Sequence, residues 1–325
     1  MSILTTYQDV SGQRINLDKF EMVFSPNVTS YFKKSIQEHL PVKISENLHK
    51  YLGMSINFGR SKEQHFQFIM DKIWKKLKGW KEKNLSFEGR GVLIRAVAQA
   101  LPTYYMSCFM LPKGLCSKIE KSVCSFWWGT TGSKRKIHWT KKENLFKSKH
   151  MGGLGFKTLR EFNYAMLAKQ AWRFHTNPTS LIAKVFKAKY FPHSDVLQAP
   201  TGCNPSYAWR SIHSSIWVIL KGSCLKIRDG NSIRIWEDNW IPSHNNFKVL
   251  SPKEDNSQVR MVKDLILTNP LRWNSDYLNT HFLDIDKEHI EQIPLIGSSH
   301  KDELMWMFEP NGVYSVKSGY KAFKE

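Results

Sequence analysis

From residue 63 to residue 84 the apolar side chains Phe66, Ile69, Ile73, Leu77 and Trp80 recur at three- and four-residue intervals, with Lys72, Lys75, Lys76, Lys78, Lys81 and Lys83 between them. At 3.6 residues per turn this spacing stacks the apolar groups on one helical face and leaves the lysines on the others. The segment therefore reads as an amphipathic helix with a core-facing stripe and a cationic back. The same pattern continues downstream. Ser86 is placed to cap a helix that has Glu88 in its first turn, and the apolar run 92–101 should be a buried helix that Pro102 kinks or ends. Further helices are expected over 115–128, 141–148, 161–176, 180–190 and 207–220, with Asn177-Pro178 joining two of them.

Extended elements are few and short. Residues 14–24 suggest a strand entered from the Ser11-Gly12 turn and stopped at Ser25-Pro26-Asn27. A helix over 30–40, with Phe32, Ile36 and Leu40 at fourfold spacing, and an extended piece over 48–56 complete a β-α-β element too small to stand alone. Around Asp229-Gly230 the residues Leu225, Ile227, Ile233 and Ile235 alternate, which predicts a hairpin. A second hairpin is expected from 304–308 and 313–316 around Glu309-Pro310-Asn311-Gly312, followed by a helix capped by Ser318. Residues 243–260 read as a flexible polar connector. Gly152, Gly153 and Gly155 mark a tight structural turn; a phosphate-cradling loop would need a preceding strand and a Lys-Ser/Thr continuation, which are not there. The fold class expected is mainly α with small β elements (α+β). It is read as four segments: 1–60, 61–150, 151–242 and 243–325.

Charge narrows the class of partner. The chain carries 48 Lys+Arg against 28 Asp+Glu, a net charge of +20. The excess is local: residues 61–150 hold 19 basic and 6 acidic side chains, whereas 241–325 hold 10 and 12. A polyanion bound at the middle of the chain would release counterions, so RNA, DNA or an RNA/DNA hybrid is the expected partner rather than a small molecule or a membrane. Cys108, Cys116, Cys124, Cys203 and Cys224 form no CxxC pair and no zinc spacing, so reduced thiols and an intracellular location are expected. A nuclear or cytoplasmic compartment is favoured over a mitochondrial one, since neither a signal peptide nor an Arg-rich transit peptide is visible.

Several motifs together resemble one family. Ser11-Gly12-Gln13-Arg14-Ile15-Asn16-Leu17-Asp18-Lys19 and Tyr51-Leu52-Gly53 resemble the last palm motifs of a plant LINE-type, non-LTR retrotransposon reverse transcriptase. Leu77, Trp80, Leu85-Ser86, Gly89-Arg90, Leu93-Ile94, Pro102-Thr103-Tyr104 and Phe126-Trp127-Trp128-Gly129 are similar to its helical thumb. Gly152-Gly153-Leu154-Gly155, Leu167-Ala168-Lys169-Gln170, Tyr190-Phe191-Pro192, Trp209-Arg210-Ser211-Ile212, Asp229-Gly230 and residues 236–240 resemble its connecting region. That region is also similar to ribonuclease-H-like open reading frames of plant nuclear and mitochondrial genomes.

The resemblance implies a palm remnant over 1–60, a basic thumb-like region over 61–150, a Trp-rich connection over 151–242, and a linker with a truncated hairpin module over 243–325. It implies that Lys19 falls where a lysine protonates the leaving pyrophosphate and that Tyr51, Leu52 and Gly53 form a primer-grip turn. The intact family would use Mg2+, held by palm aspartates. In 1–60 the carboxylates are Asp9, Asp18, Glu21, Glu38 and Glu46, none adjacent to another, so no catalytic residue, metal site or cofactor is expected and Lys19 is vestigial. Nucleic-acid contact is expected at Lys72, Lys75, Lys76, Lys78, Arg90, Lys134, Arg135 and Lys136, with Trp80, Trp128 and Trp139 beside lysines as candidates for stacking on bases. The function expected is non-catalytic, sequence-independent nucleic-acid binding by a retrotransposon-derived fragment. The alternatives are a pseudogene product without selected activity and a partial RNA-directed DNA polymerase that needs a missing palm.

Overall fold

The computed structural model of the chain describes residues 2–14, 16, 21–25, 27–39, 42–45, 61–81, 85–131, 134–135, 137–244, 247–253, 259–297 and 300–323. They divide into two compact units, Met1–Phe68 and Ile69–Glu325. In the first, the polar run ahead of Gly12 folds as helix α1 (Ser2–Ser11), and Gly12, at φ +68°, donates its N–H to Gln8 O at 2.9 Å to close it. Strand β1 (Glu21–Met22), helix α2 (Ser30–His39) and strand β2 (Lys43–Ile44) follow. The strands pair in parallel, Glu21 opposite Lys43, so a small β-α-β element is present with its second strand at 43–44. The stretch 48–56 lies outside the described residues, as do Lys19, Tyr51, Leu52 and Gly53.

Helix α3 (Lys62–Lys81) runs across the division, with Phe66, Ile69, Ile73 and Leu77 buried and Trp80 half-buried, as the stripe predicts. Ser86 caps α4 (Phe87–Leu93), its hydroxyl accepting the Gly89 N–H at 3.2 Å. The helix widens into a π turn over Ile94–Ala98 and has ended before Pro102. Helices α5 (Thr103–Met106) and α6 (Lys113–Trp128) follow, and Gly129, at φ +81°, lets the chain leave α6. Strands β3 (Thr130–Thr131) and β4 (Lys134–Arg135) form a hairpin, and helix α7 (Lys142–Phe146) leads to the glycine-rich turn. That turn is structural, as expected. Gly152 and Gly155 have φ of +75° and +68°, and a Cβ on Gly153 would stand 2.2 Å from Lys147 O.

Helices α8 (Leu159–Thr176) and α9 (Leu181–Tyr190) lie where the periodicity puts them. The single helix expected over 207–220 is two, α10 (Tyr207–His213) and α11 (Ile216–Gly222). The break falls at Ser214 and Ser215, whose hydroxyls donate to Ser211 O at 2.8 Å and Ile212 O at 2.6 Å and so compete with the helical ladder. Strand β5 (Ser223–Lys226) comes next, then β6 (Ile266–Thr268), β7 (Leu271–Trp273), α12 (Ser275–His281), α13 (Asp284–Glu291), β8 (Glu303–Trp306) and α14 (Val316–Lys321). The architecture is mainly α with small β elements.

Both expected hairpins are replaced by longer-range pairing. β5 pairs antiparallel with β8, Ser223 opposite Trp306 and Lys226 opposite Glu303. Ile233 and Ile235 instead bond to the 260–262 segment, through Val262 N to Ile233 O at 2.9 Å and Ile235 N to Arg260 O at 3.1 Å. Asp302 enforces this arrangement: its carboxylate accepts the N–H groups of Arg228 (2.8 Å), Gly230 (2.9 Å) and Ser232 (3.1 Å), so the Asp229-Gly230 turn is closed from 70 residues away. Around Gly312 only a turn forms, and the cap of α14 is Ser315, whose hydroxyl accepts the Ser318 N–H. Ser318 is inside the helix and accepts from Trp306 Nε1 at 2.9 Å.

The described part of 243–260 is packed rather than a flexible connector. His244, Phe247 and Ser251 are buried, and fully buried Asp286 accepts the N–H groups of Leu250 and Ser251. Two apolar clusters fill this end of the second unit. One gathers Leu167, Trp172, Trp209, Ile219, Trp306 and Tyr314, and the other Ile227, Ile235, Trp240, Val262, Trp273 and Ile290.

Candidate nucleic-acid interface

The lysines of α3 sort by helical position. Lys72, Lys75, Lys76 and Gly79 follow an i, i+3, i+4, i+7 pattern, which places them along one side of the helix. With Trp80 and Leu101 they line a groove of about 610 Å³. The three lysines are exposed, while Ile73 and Leu77 on the neighbouring stripe are buried and anchor the helix. Trp80 is held in the groove wall by Phe126, ring centroids 6.0 Å apart. Lys78 points elsewhere, its ammonium 5.3 Å from the ring centre of Trp74, a side chain that is itself 55% exposed.

Arg90 has a different environment. It is half-buried and donates from Nη1 to Trp127 O at 3.2 Å, and its guanidinium lies 5.3 Å from the Phe87 ring centre. A Cβ on Gly129 would come within 2.9 Å of Arg90 Nη1, so the glycine after α6 makes room for this contact. Arg90 thus ties α4 to the C-terminal end of α6. Lys134 and Arg135 form β4 just beyond, and Lys136 lies outside the described residues. Trp139 is 81% exposed, and Trp128 stacks on His138 with centroids 5.8 Å apart.

Reading by charge and periodicity missed a second concavity beside that end of α6. Phe87, Trp127, Trp128, Thr140, Asn144 and Lys147 are among the residues lining a cleft of about 560 Å³. Its sequence signals are Trp128, already a candidate for stacking on bases, and Phe87, a large aromatic immediately after the cap Ser86. A buried polar contact joins the elements around this cleft. Glu120, on α6, is paired with Lys142 and also accepts the Leu159 N–H at 2.9 Å, which joins α6, α7 and α8.

Cysteine chemistry does not belong to this surface. Burial pushes the thiols of Cys116 and Cys224 up to about 12 and that of Cys124 up to about 11, which keeps them protonated and unreactive. All five cysteines are free; Cys203 is exposed and Cys108 half-buried. A thiol reagent near pH ~8 is therefore expected to consume Cys203 first and Cys108 more slowly, and the other three only after denaturation. Prompt reaction of more than two thiols in the native protein would contradict this arrangement. Among the described residues no three His, Cys, Asp or Glu side chains gather as a metal site, and no helix is long and apolar enough to cross a membrane.

No protein-family model matches the chain. It is 44% identical over 143 residues to an Arabidopsis thaliana protein named "Uncharacterized mitochondrial protein AtMg00310", an overlap that covers 44% of this chain and 93% of that protein. The chain belongs to the AtMg00310 family. It is also 27% identical over 273 residues to the Arabidopsis thaliana protein named "Putative ribonuclease H protein At1g65750". That overlap takes in 81% of this AtMg00310-family chain and 43% of the longer relative, so the chain spans less than half of that relative's length.

Proposed function

We propose that this AtMg00310-family chain is a non-catalytic, retrotransposon-derived piece of a reverse transcriptase that holds RNA, DNA or their hybrid by its phosphates without reading sequence. The observation that carries this reading is the α3 groove: Lys72, Lys75 and Lys76 aligned along one side of a helix whose apolar stripe is buried. Aligned lysines on a rigid support contact phosphates without a base-edge pattern, and such contacts position a strand but do not select it. The words "ribonuclease H" in the second relative's name are in keeping with a nucleic-acid partner.

Nucleotidyl transfer by two metal ions requires clustered carboxylates. The carboxylates of residues 1–60 are nowhere adjacent in the sequence, and on that ground the reading assigns no transfer step to this chain. Primer extension by the protein alone with Mg2+ or Mn2+ is expected to yield no product.

Filter binding to DNA, RNA and hybrid duplexes at rising salt tests the reading. Neutralising four phosphates gives a slope near −3.6 in log K against log salt, or roughly 10²-fold weaker binding between 50 and 200 mM. A slope near zero, or strong discrimination among unrelated sequences, would rule the reading out.

A further inference from the structure

The cleft beside the C-terminal end of α6 has the chemistry of a socket for one flat, polar-edged ring. Its walls include Phe87, Trp127 and Trp128. Phe87 is 47% exposed, and its ring is braced by Arg90 and by Trp127, at centroid distances of 5.3 Å each. Trp127 is fixed from another side by Phe156, edge-on at 5.5 Å, and passes so close to Gly91 that a Cβ there would lie 3.2 Å from its ring. These aromatics are therefore held in place before any ligand arrives, which lowers the entropy cost of stacking.

Two polar groups belong to the same lining. The Trp128 indole Nε1–H is buried and has no hydrogen-bond partner, an unmet donor in the wall of the cleft that costs free energy. Asn144 donates one N–H to Thr140 Oγ1 at 2.8 Å, which leaves its carboxamide oxygen and second N–H for something else. A carboxamide that can both donate and accept suits the edge of any base, so it adds affinity without selecting sequence. Gly152, also in the lining, has no atom within 4 Å of where its Cβ would stand, so space is open on that side. The surrounding chain is cationic: residues 134–149 contain seven Lys or Arg and one acidic residue, Glu143.

We propose that this cleft takes one unpaired nucleobase of a bound strand, stacked against the aromatic wall, while the neighbouring lysines hold the adjoining phosphates. The proposal rests on the nucleic-acid reading given above and adds a preference to it. A paired base is stacked inside its duplex and cannot enter, so overhangs and unpaired ends should bind more tightly than blunt duplexes.

Fluorescence anisotropy with labelled DNA duplexes tests this. The three probes are blunt, carrying a five-nucleotide 3′ overhang, or carrying the same overhang built from abasic units. The abasic probe keeps the added phosphates and removes the bases. The wild-type protein is expected to bind the base-bearing overhang about tenfold more tightly than the abasic one, as expected from base–aromatic stacking. Phe87→Leu and Asn144→Ala, both at exposed positions, should each reduce that ratio to about threefold or less and leave blunt-duplex affinity unchanged. Circular dichroism melts check that each variant is folded, and the wild-type comparison stands without either of them. Equal binding of the two overhang probes overturns the proposal even if the blunt duplex still binds, in which case the lysine-groove reading survives. Absence of binding to every probe at low salt removes both.

Discussion

Replacing Lys72, Lys75 and Lys76 together by glutamine is expected to weaken duplex binding by about 10²- to 10³-fold at ~0.1 M salt. The estimate follows from counterion release: each phosphate contact contributes close to 0.9 to the salt slope, so three lost contacts flatten it by nearly three. Measured against a ~1 M reference, where this contribution vanishes, three contacts are worth about 10^2.7 at 0.1 M. The substitutions should not disturb folding, because all three side chains are exposed and the buried stripe of Ile69, Ile73 and Leu77 is untouched. Lys78→Gln should cost less, since that ammonium sits over the Trp74 ring and outside the groove. Salt titrations of the triple variant and the wild type decide the matter. An unchanged slope in the triple variant would move the interface away from α3.

Asn163→Leu is expected to remove on the order of 3–5 kcal/mol of stability, read as a lower urea midpoint with an unchanged m-value. Asn163 is on α8, four residues before Leu167 on the apolar stripe, and is fully buried. Its Oδ1 accepts the Leu111 N–H at 2.7 Å, and its Nδ2 donates to Met106 O at 2.8 Å and Phe109 O at 2.9 Å. One side chain thus satisfies three backbone groups of the link between α5 and α6. Leucine fills a similar volume but strands all three, each at a cost of about 1–3 kcal/mol. Asn163→Asp gives a second reading of the same contact. It keeps the acceptor for Leu111 and sets a carboxylate against two carbonyl oxygens, so it should be least stable at neutral pH. The folded-state pKa of the new carboxyl would be raised, so the variant should recover stability as pH falls and it protonates. A neutral effect of both substitutions would mean that the 106–111 link does not depend on this residue.

How far the sequence foretells the fold depends on the distance over which each element is decided. Helix α3, the Ser86 cap and α9 are read correctly because their periodicity and caps lie within a few residues. The Gly152 to Gly155 turn belongs with them, since a positive φ is a property of one residue. The strands fail for the opposite reason. Leu225 and Ile235 alternate around Asp229-Gly230 as hairpin strands should, yet Asp302 captures that turn and β5 finds β8. The alternation is real, but it records which side chains are buried and not which backbone pairs with them.

The candidate site divides in the same way. The lysine stripe of α3 is legible from spacing. Arg90 is not: its sequence neighbours suggest a surface cation, whereas Trp127 O and the Phe87 ring give it structural partners 37 and 3 positions away. Of the aromatic cleft only Trp128 is singled out by the sequence, as a ring beside lysines; the concavity itself is not legible, because its walls come from the start of α4, the end of α6 and the segment around α7.

By itself, then, the sequence determined helices α3, α4, α6, α8 and α9, the glycine turn and the cationic middle of the chain, features carried by spacing, caps and composition among near neighbours. Only the tertiary structure decided which strands pair, which buried polar groups close the links, and where lysines and rings converge into concavities. Those choices are made between residues far apart in the chain, where many partners compete to satisfy the same backbone groups and bury the same surface. The burial and hydrogen-bond gain of the whole packing selects one arrangement among them.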